Sequence, residues 1–464
     1  RRGRTWGFQN RGQPCADNSF KGVAQLQYTM ASSKFGRKLN PYRSLREPLG
    51  VKGVRQSVVI TNNPSSIDQN QQLLVRFPNL GKDDVIVPGT ARLAFTITLN
   101  SEDANRTVVQ NLGRAIVKKL TIKISGNEVM SIDDSDVFHC YNDLWKTAPE
   151  RANGHYQGID ASDNRNTTRI RVGAGNGDSS VAADKAIADV FGDRFFTPLD
   201  FELLESHMPF YQSALGDRLE YELTFNDYSR VIQATGDVDA SYRIGGISLE
   251  YDMVTLPELA RMIDNQYKGR LAILYDRVLR HRKMTMDKSN TLWNINLNVP
   301  ARSMKGILML FENVAAQQPF ARNTEAFYNP QITKVEVTIE GIPNQLYSQG
   351  MRAYQMWDEA KKYFAASPGS KRHPDVGTVA KDLALADVNL GEFLTSKYSL
   401  WLDLRTSDDD RLHGSGRRIE NASEGITIQI TKKAEATGAL NIYLFVVMDA
   451  QLNIEDGRFV SAAY

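Results

Sequence analysis

Val117-Lys118-Lys119-Leu120-Thr121-Ile122-Lys123-Ile124-Ser125-Gly126 returns later in the chain as Ile332-Thr333-Lys334-Val335-Glu336-Val337-Thr338-Ile339-Glu340-Gly341. Both stretches alternate apolar and polar residues, the period of a strand with one wet face. Each runs through a short turn to a serine (Ser131, Ser348) and then to a helical stretch holding a tryptophan (Trp145, Trp357). The spacing is 215 residues, counted from Ile122 to Val337, about the size of a whole domain. Upstream, Val87-Pro88 opens the strand Leu93–Ile97 as Val299-Pro300 opens Gly306–Phe311. Downstream, Leu219–Leu223 is matched here with Leu400–Leu404, at a spacing of only 181 residues (Tyr221 to Leu402). Extra residues near 151–195 in the first half account for that shortfall in this reading. Ile247–Tyr251 and Leu440–Leu444 close the two halves. A repeated series of amphipathic strands without catalytic punctuation points to architecture rather than chemistry.

A chain of 464 residues is long enough for two to three domains, each with its own core. The duplication divides it into a basic arm over residues 1–50, a first domain over 51–257 and a second over 258–464. The arm carries ten Lys/Arg, Arg1, Arg2, Arg4 and Arg11 among them, against Asp17 and Glu47, in a chain whose formal net charge is only +2. Such an arm is a candidate for lying against nucleic acid, whose phosphates attract cations independently of sequence. The N-terminal stretch has no apolar core of the secretory type, and the longest apolar runs, such as Tyr443–Met448, are too short to span a bilayer. Cys15 and Cys140 are the only cysteines, which excludes a disulfide framework and suits a reducing compartment. The sequons at Asn105, Asn166 and Asn421 are then chance matches.

Period-two alternation recurs at Leu93/Phe95/Ile97/Leu99, Leu219/Tyr221/Leu223/Phe225, Trp293/Ile295/Leu297/Val299 and Ile426/Ile428/Ile430. An all-β fold of tandem sandwiches with a few short helices follows. One helix is capped by Asp133, Asp134 or Ser135 and buries Val137, Tyr141, Leu144 and Trp145. A second follows Ser348 and carries Met351, Tyr354, Trp357 and Phe364 at helical spacing. A third opens on Thr255-Leu256-Pro257-Glu258, the spacing of a capping box with proline in the first turn. Residues 151–195 and 365–385 break the pattern, and the first is read as an exposed projection from one end of a sandwich.

Four motifs invite a chemical reading. Gly173, Gly175 and Gly177 sit in a glycine-rich stretch that lacks both phosphate-loop spacing and a following lysine, and they are read as an outer loop. Asp133-Asp134-Ser135-Asp136 and Asp408-Asp409-Asp410 lack the spaced oxygens of a calcium loop and are read as caps or solvated turns, not metal ligands. His139-Cys140 places a base beside a thiol, but neighbours on a helix point apart, and a half-buried structural cysteine is the reading. No catalytic residue, cofactor site or metal site is assigned, and the chain is expected not to be an enzyme.

Asn111-Leu112-Gly113-Arg114 through Lys118-Lys119-Leu120, Tyr141–Lys146 and Glu150-Arg151-Ala152 resemble the major capsid proteins of Polinton (Maverick) elements and adintoviruses. So do Ser303–Phe311, Asn329–Thr333, Ile339–Gly341 with Leu346–Gly350, and Asp403–Asp408 with His413–Arg418. The resemblance spans roughly residues 70–455 and both halves. It implies two eight-stranded jelly rolls in one chain, and a homotrimer forming a pseudo-hexagonal capsomer of the hexon kind. Such capsomers tile an icosahedral shell around a DNA genome, next to neighbouring capsomers, penton and minor capsid proteins. The implied location is the virion, assembled inside the host cell. It makes the basic arm a candidate for the interior and the 151–195 loop a candidate for the exterior. The alternative is a tandem β-sandwich carbohydrate-binding, lectin-like protein, which would ordinarily be secreted and carry disulfides or calcium sites. A catalytic sandwich would instead need a deep pocket of converging polar groups.

Overall fold

The computed structural model describes residues 52–59, 66–101, 107–146, 151, 154–159, 194–201, 204, 210–212, 215, 218–233, 240–314, 323–344, 347, 350–365, 388–405, 416–420 and 425–463. The basic arm, most of 151–195, nearly all of 365–385, Asp408–Asp410 and the three sequons lie outside them. Eight strands build the first half: β1 (Lys52–Val59), β2 (Gln72–Arg76), β3 (Arg92–Ser101), β4 (Val117–Ile124), β5 (Asn127–Asp133), β6 (Arg194–Pro198), β7 (Leu219–Phe225) and β8 (Ala240–Thr255). Eight more build the second: β9 (Arg270–Asp287), β10 (Leu292–Leu297), β11 (Ala301–Asn313), β12 (Ile332–Ile339), β13 (Ile342–Pro343), β14 (Ser399–Asp403), β15 (Ile426–Lys432) and β16 (Ala439–Glu455).

The first half forms antiparallel sheets in the orders β1-β8-β3-β6 and β2-β7-β4-β5. The second half repeats both orders with every index raised by eight: β9-β16-β11-β14 and β10-β15-β12-β13. Short extra strands extend the first sheet of each half, Ser66–Asp68 and Asp84–Ile86 along β8, and Arg417–Ile419 and Arg458–Ala463 on β11 and β16.

The repeated block is therefore β4–β5 and β12–β13, down to the turn. Ser125 (φ 54°) and Gly126 (φ 77°) join the first pair, and Glu340 (φ 50°) and Gly341 (φ 78°) the second. Two successive positive-φ residues make the two-residue hairpin turn whose twist suits antiparallel strands, which is why glycine recurs at its second position. Burial follows the alternation in β7, β10 and β15, where every second residue is buried.

The match of Leu219–Leu223 with Leu400–Leu404 is corrected by the topology. β7 occupies the place of β15, so its counterpart is Ile426–Lys432, 207 residues on from Leu219 to Ile426. Ser399–Asp403 is β14, the counterpart of β6. The long insertion is not a property of the first half alone, since a long helix-bearing connection separates β5 from β6 and β13 from β14 alike.

α1 (Leu112–Ala115) sits between β3 and β4, α2 (Ser135–Leu144) in the first of these connections, α3 (Tyr228–Val231) between β7 and β8, α4 (Pro257–Tyr267) between β8 and β9, and α5 (Ala353–Ala360) and α6 (Leu390–Thr395) in the second connection. α4 joins β8 to β9 and begins with Pro257 in its first turn, but the capping box is not formed. Leu256 is the N-cap, and the Thr255 hydroxyl donates instead to Asp84 Oδ1 at 2.6 Å. α5 starts after Arg352, whose backbone N–H donates to the Gln355 side chain, and its Tyr354 is 54% exposed rather than on the core face.

One departure from simple alternation organises the molecule. A strand in a two-layer sandwich should keep one face wet, yet β11 and β16 are buried on both faces along most of their length. Their inner residues, Phe311 for example, meet Trp293 of the opposite sheet at 6.2 Å. Their outer residues meet the first half. The apolar run Tyr443–Met448 is this central strand, and one hydrophobic cluster continues through both halves.

Candidate functional site: the seam between the two sandwiches

The seam is built around α2. Its spacing puts Val137, Phe138, Tyr141, Leu144 and Trp145 on one stripe, and all five are buried. Phe138 packs on Phe445 of β16 at 5.3 Å. Tyr141 stands edge-on to Phe327 at 5.3 Å and to Phe364 at 5.1 Å, while Trp145 stacks on Phe364 at 6.2 Å. A helix of the first half thus lies in an aromatic cage supplied by the second. Edge-to-face pairs of this kind add about 0.5–1.5 kcal/mol each beyond the area they bury.

Polar groups at the seam are paired across it. The Tyr141 hydroxyl and the Ser399 hydroxyl share a short hydrogen bond, and the Thr324 hydroxyl donates to the Gln110 carbonyl. Tyr275 of β9 donates to the Val129 carbonyl of β5 at 3.0 Å. Arg151 pairs with Glu325 at 2.7 Å, both nearly without solvent contact. Arg230 of α3 reaches Asp136 of α2 at 2.7 Å and Glu312 of β11 at 3.5 Å, and Tyr443 donates to the same Glu312 at 2.7 Å. Opposing carboxylates hold the Arg230 guanidinium charged although burial works against it.

The acidic stretch Asp133–Asp136 belongs to this seam. Arg280 of β9 contacts Asp134 at 2.6 Å and Asp133 at 3.3 Å, and Asp136 is held by Arg230. Asp134 is the N-cap residue of α2 by position, at φ 48°, but its side chain makes no capping hydrogen bond. The cap expectation fails because an arginine from the other half takes the carboxylate. No cluster of potential metal ligands forms among the described residues.

A second network supports α2 from inside the first half. Asp143 accepts from Asn111 at 3.0 Å and from Gln157 at 2.6 Å, and lies near Arg114 Nε (3.4 Å) and Lys146 (2.7 Å). Burial pushes its carboxyl up, but the Lys146 and Arg114 charges and these hydrogen bonds outweigh that and hold it well below the usual range. His139 is half-buried with its Nε2 shielded from solvent, and loss of hydration together with the Arg114 charge lowers its pKa to about 4. Cys140 is 1% exposed rather than half-buried, and burial pushes its thiol up. A neutral imidazole beside a protonated thiol is the opposite of an activated pair.

Arg1, Arg2, Arg4, Arg11, Gly173, Gly175 and Gly177 lie outside the described residues. Of the charged residues here, Arg114 and Arg151 enter the sequence reading only within the blocks that carry the resemblance, and Arg230, Arg280, Glu312 and Glu325 not at all. None belongs to a motif that names its partner, and the one local signal is Glu312 directly following the apolar run Ile307–Phe311.

Compared by sequence, the chain matches no family model and no curated protein. Compared by structure, it resembles a chain of the PBCV-1 virus capsid with a TM-score of 0.57 at 15% identity, over 90% of this chain and 98% of that one. The Faustovirus major capsid protein gives 0.53 at 11% identity, over 89% and 92%. The mavirus major capsid protein gives 0.50 at 11% identity, over 98% and 96%. This chain has the double jelly-roll fold. In the double jelly roll the two eight-stranded sandwiches need a contact that fixes one against the other, and the α2 seam is that contact here. No helix among the described residues is long and apolar enough to cross a membrane.

Proposed function

We propose that this chain is a viral major capsid protein whose trimer forms a pseudo-hexagonal capsomer. The observation that carries the reading is the repeat of both sheet orders, strand for strand, within one chain. Three copies then present six similar units around a three-fold axis, and six near-equivalent edges can meet neighbours on a closed shell. A three-fold ring needs heterologous contacts between different faces of adjacent chains. An obligate interface of this kind buries several thousand Å2 and is apolar at its centre. Leu292, Ile342, Tyr354 and Leu390, all in the second half, are exposed apolar side chains available to it.

In this reading residues 51–257 and 258–464 are the two jelly-roll units. The arm with Arg1, Arg2, Arg4 and Arg11 faces the shell interior and its DNA, and the loop with Gly173, Gly175 and Gly177 faces outward. Penton and minor capsid proteins and neighbouring capsomers are the partners, the virion is the location, and the role is structural rather than enzymatic. The sequence blocks around Asn111–Leu120, Tyr141–Lys146 and Ile332–Gly341 favour the Polinton and adintovirus type. Light scattering of the purified chain tests the reading. Three copies of 52.0 kDa should give a particle of about 156 kDa that persists on dilution; a 52.0 kDa species at all concentrations would refute it.

A further inference from the structure

The β9-β16-β11-β14 sheet carries an ion group separate from the seam contacts. Asp276 of β9 and Asp449 of β16 stand directly opposite each other on adjacent antiparallel strands. Like charges so placed repel, and a cation or a proton between them relieves the pair. Lys305 of β11 reaches them across β16. It falls where β11 slips register against β16, and a bulge of this kind re-aims a side chain. Its Nζ lies 2.6 Å from Asp276 Oδ1 and 3.2 Å from Asp449 Oδ1. The side chains of Lys305 and Asp449 are 10% and 2% exposed, whereas Asp276 keeps 32%. A hydrogen-bond chain fixes Asp449 by its other oxygen. The Gly416 N–H donates to Ser303 Oγ at 2.9 Å, and the Ser303 hydroxyl donates to Asp449 Oδ2. On the counterpart strands β3 and β8 the ion pair is Arg92 with Glu250, at 3.1 Å. A guanidinium keeps its proton, but a lysine amine can lose one and act as a nucleophile.

We propose that Lys305 and Asp449 condense to an intramolecular isopeptide bond, with Asp276 carrying the protons. The carboxylates hold the Lys305 ammonium charged although burial works against it, so the step opens with proton transfer. Asp276 takes one proton from Nζ along their hydrogen bond and passes it to Asp449 Oδ1. The amine lone pair then attacks Asp449 Cγ, and negative charge develops on Oδ2, where the Ser303 hydroxyl donates. Asp276 moves a second proton from nitrogen to Oδ1, the Cγ–Oδ1 bond breaks, and water leaves. Nζ keeps one hydrogen, Oδ2 becomes the amide oxygen, and Asp276 returns to its starting charge. Holding the partners in reach, in a place short of water, favours such a condensation. The product ties the two central strands of the second half together and closes the chain between residues 305 and 449. It restrains the unfolded chain as a disulfide would, without using a cysteine. The proposal does not depend on the capsomer reading.

The test is the intact mass of the full chain under denaturing conditions. The mass should lie one water below that of the sequence, and digestion should release a branched peptide joining the segments around Lys305 and Asp449. Lys305→Arg, which keeps the charge, and Asp276→Asn, which keeps the shape at a half-exposed position, should each return the mass to that of the sequence. A parent chain at its full sequence mass would overturn the proposal, and that outcome requires no variant to fold. So would a lost water that maps to a cyclic imide at Asp456-Gly457, or a link that forms as completely in Asp276→Asn as in the parent. The denatured mass is the same whether the native chain is a monomer or a trimer, so failure here is distinguishable from failure of the capsomer.

Discussion

His139 is half-buried on α2 near Arg114, Asp200, Asp143 and Lys146, and its folded pKa of about 4 lies well below the unfolded value near 6.5. The native state therefore binds fewer protons than the unfolded chain between those values, and stability falls as pH drops through that window. The penalty is absent above about pH 6.5 and levels off below about pH 4, where it amounts to roughly 3 kcal/mol. His139→Gln should remove it, so urea unfolding at pH 7 and pH 4.5 should differ markedly less in the variant than in the parent. An unchanged pH dependence would contradict the burial argument. Asp143 acts in the same direction at lower pH: its folded pKa is depressed, so the stability it confers at neutral pH is lost only as pH falls below the ordinary carboxylate range. Neither behaviour was legible in the sequence. Whether His139 and Cys140 sit at a helix flank or in the interior depends on what packs against that side of α2, and Val109, Arg114, Ala115 and Asp200 reach it from other segments of the same half.

At the scale of elements, the seam places Arg230 between Asp136 of α2 and Glu312 of β11. Removing one member of a buried ion group strands the others and costs about 3–5 kcal/mol, whereas neutralising the remaining charges as well leaves no stranded charge to penalise. Arg230→Met alone should lower stability by that amount. Combining it with Asp136→Asn and Glu312→Gln should recover more than half of the loss, as judged by chemical unfolding. Additive losses would show that the three groups do not act together. Strand existence was readable because alternation is imposed by the sheet itself, and the hairpin turn was readable because positive φ favours glycine at Gly126 and Gly341. Strand identity was not. Leu400-Trp401-Leu402-Asp403-Leu404 imitates the alternation of β7, yet every residue of β14 is buried, because α5 and the π-helical turn after it cover one face, with Tyr363 stacked on Trp401 at 4.1 Å. Amphipathic letters alone do not distinguish a central strand from a covered edge strand.

For the whole molecule, duplication could be read because both copies keep the β4–β5 and β12–β13 hairpins, the parts least free to vary under the combined demands of register and turn. The way the halves join could not, because it rests on single charges and rings scattered through the chain. β11 and β16 gave one trace of it: their runs are apolar on both faces, which a sandwich alone would not require but a second layer does. A chain that carries the same sheet orders twice, held by an internal seam, is suited to supply two of six corners in a three-chain ring. The most direct test is negative-stain imaging of the purified chain, classified without imposed symmetry. The account predicts particles with a three-fold axis and a six-cornered outline, two corners from each chain. Single two-lobed particles, unchanged across concentration, would contradict it.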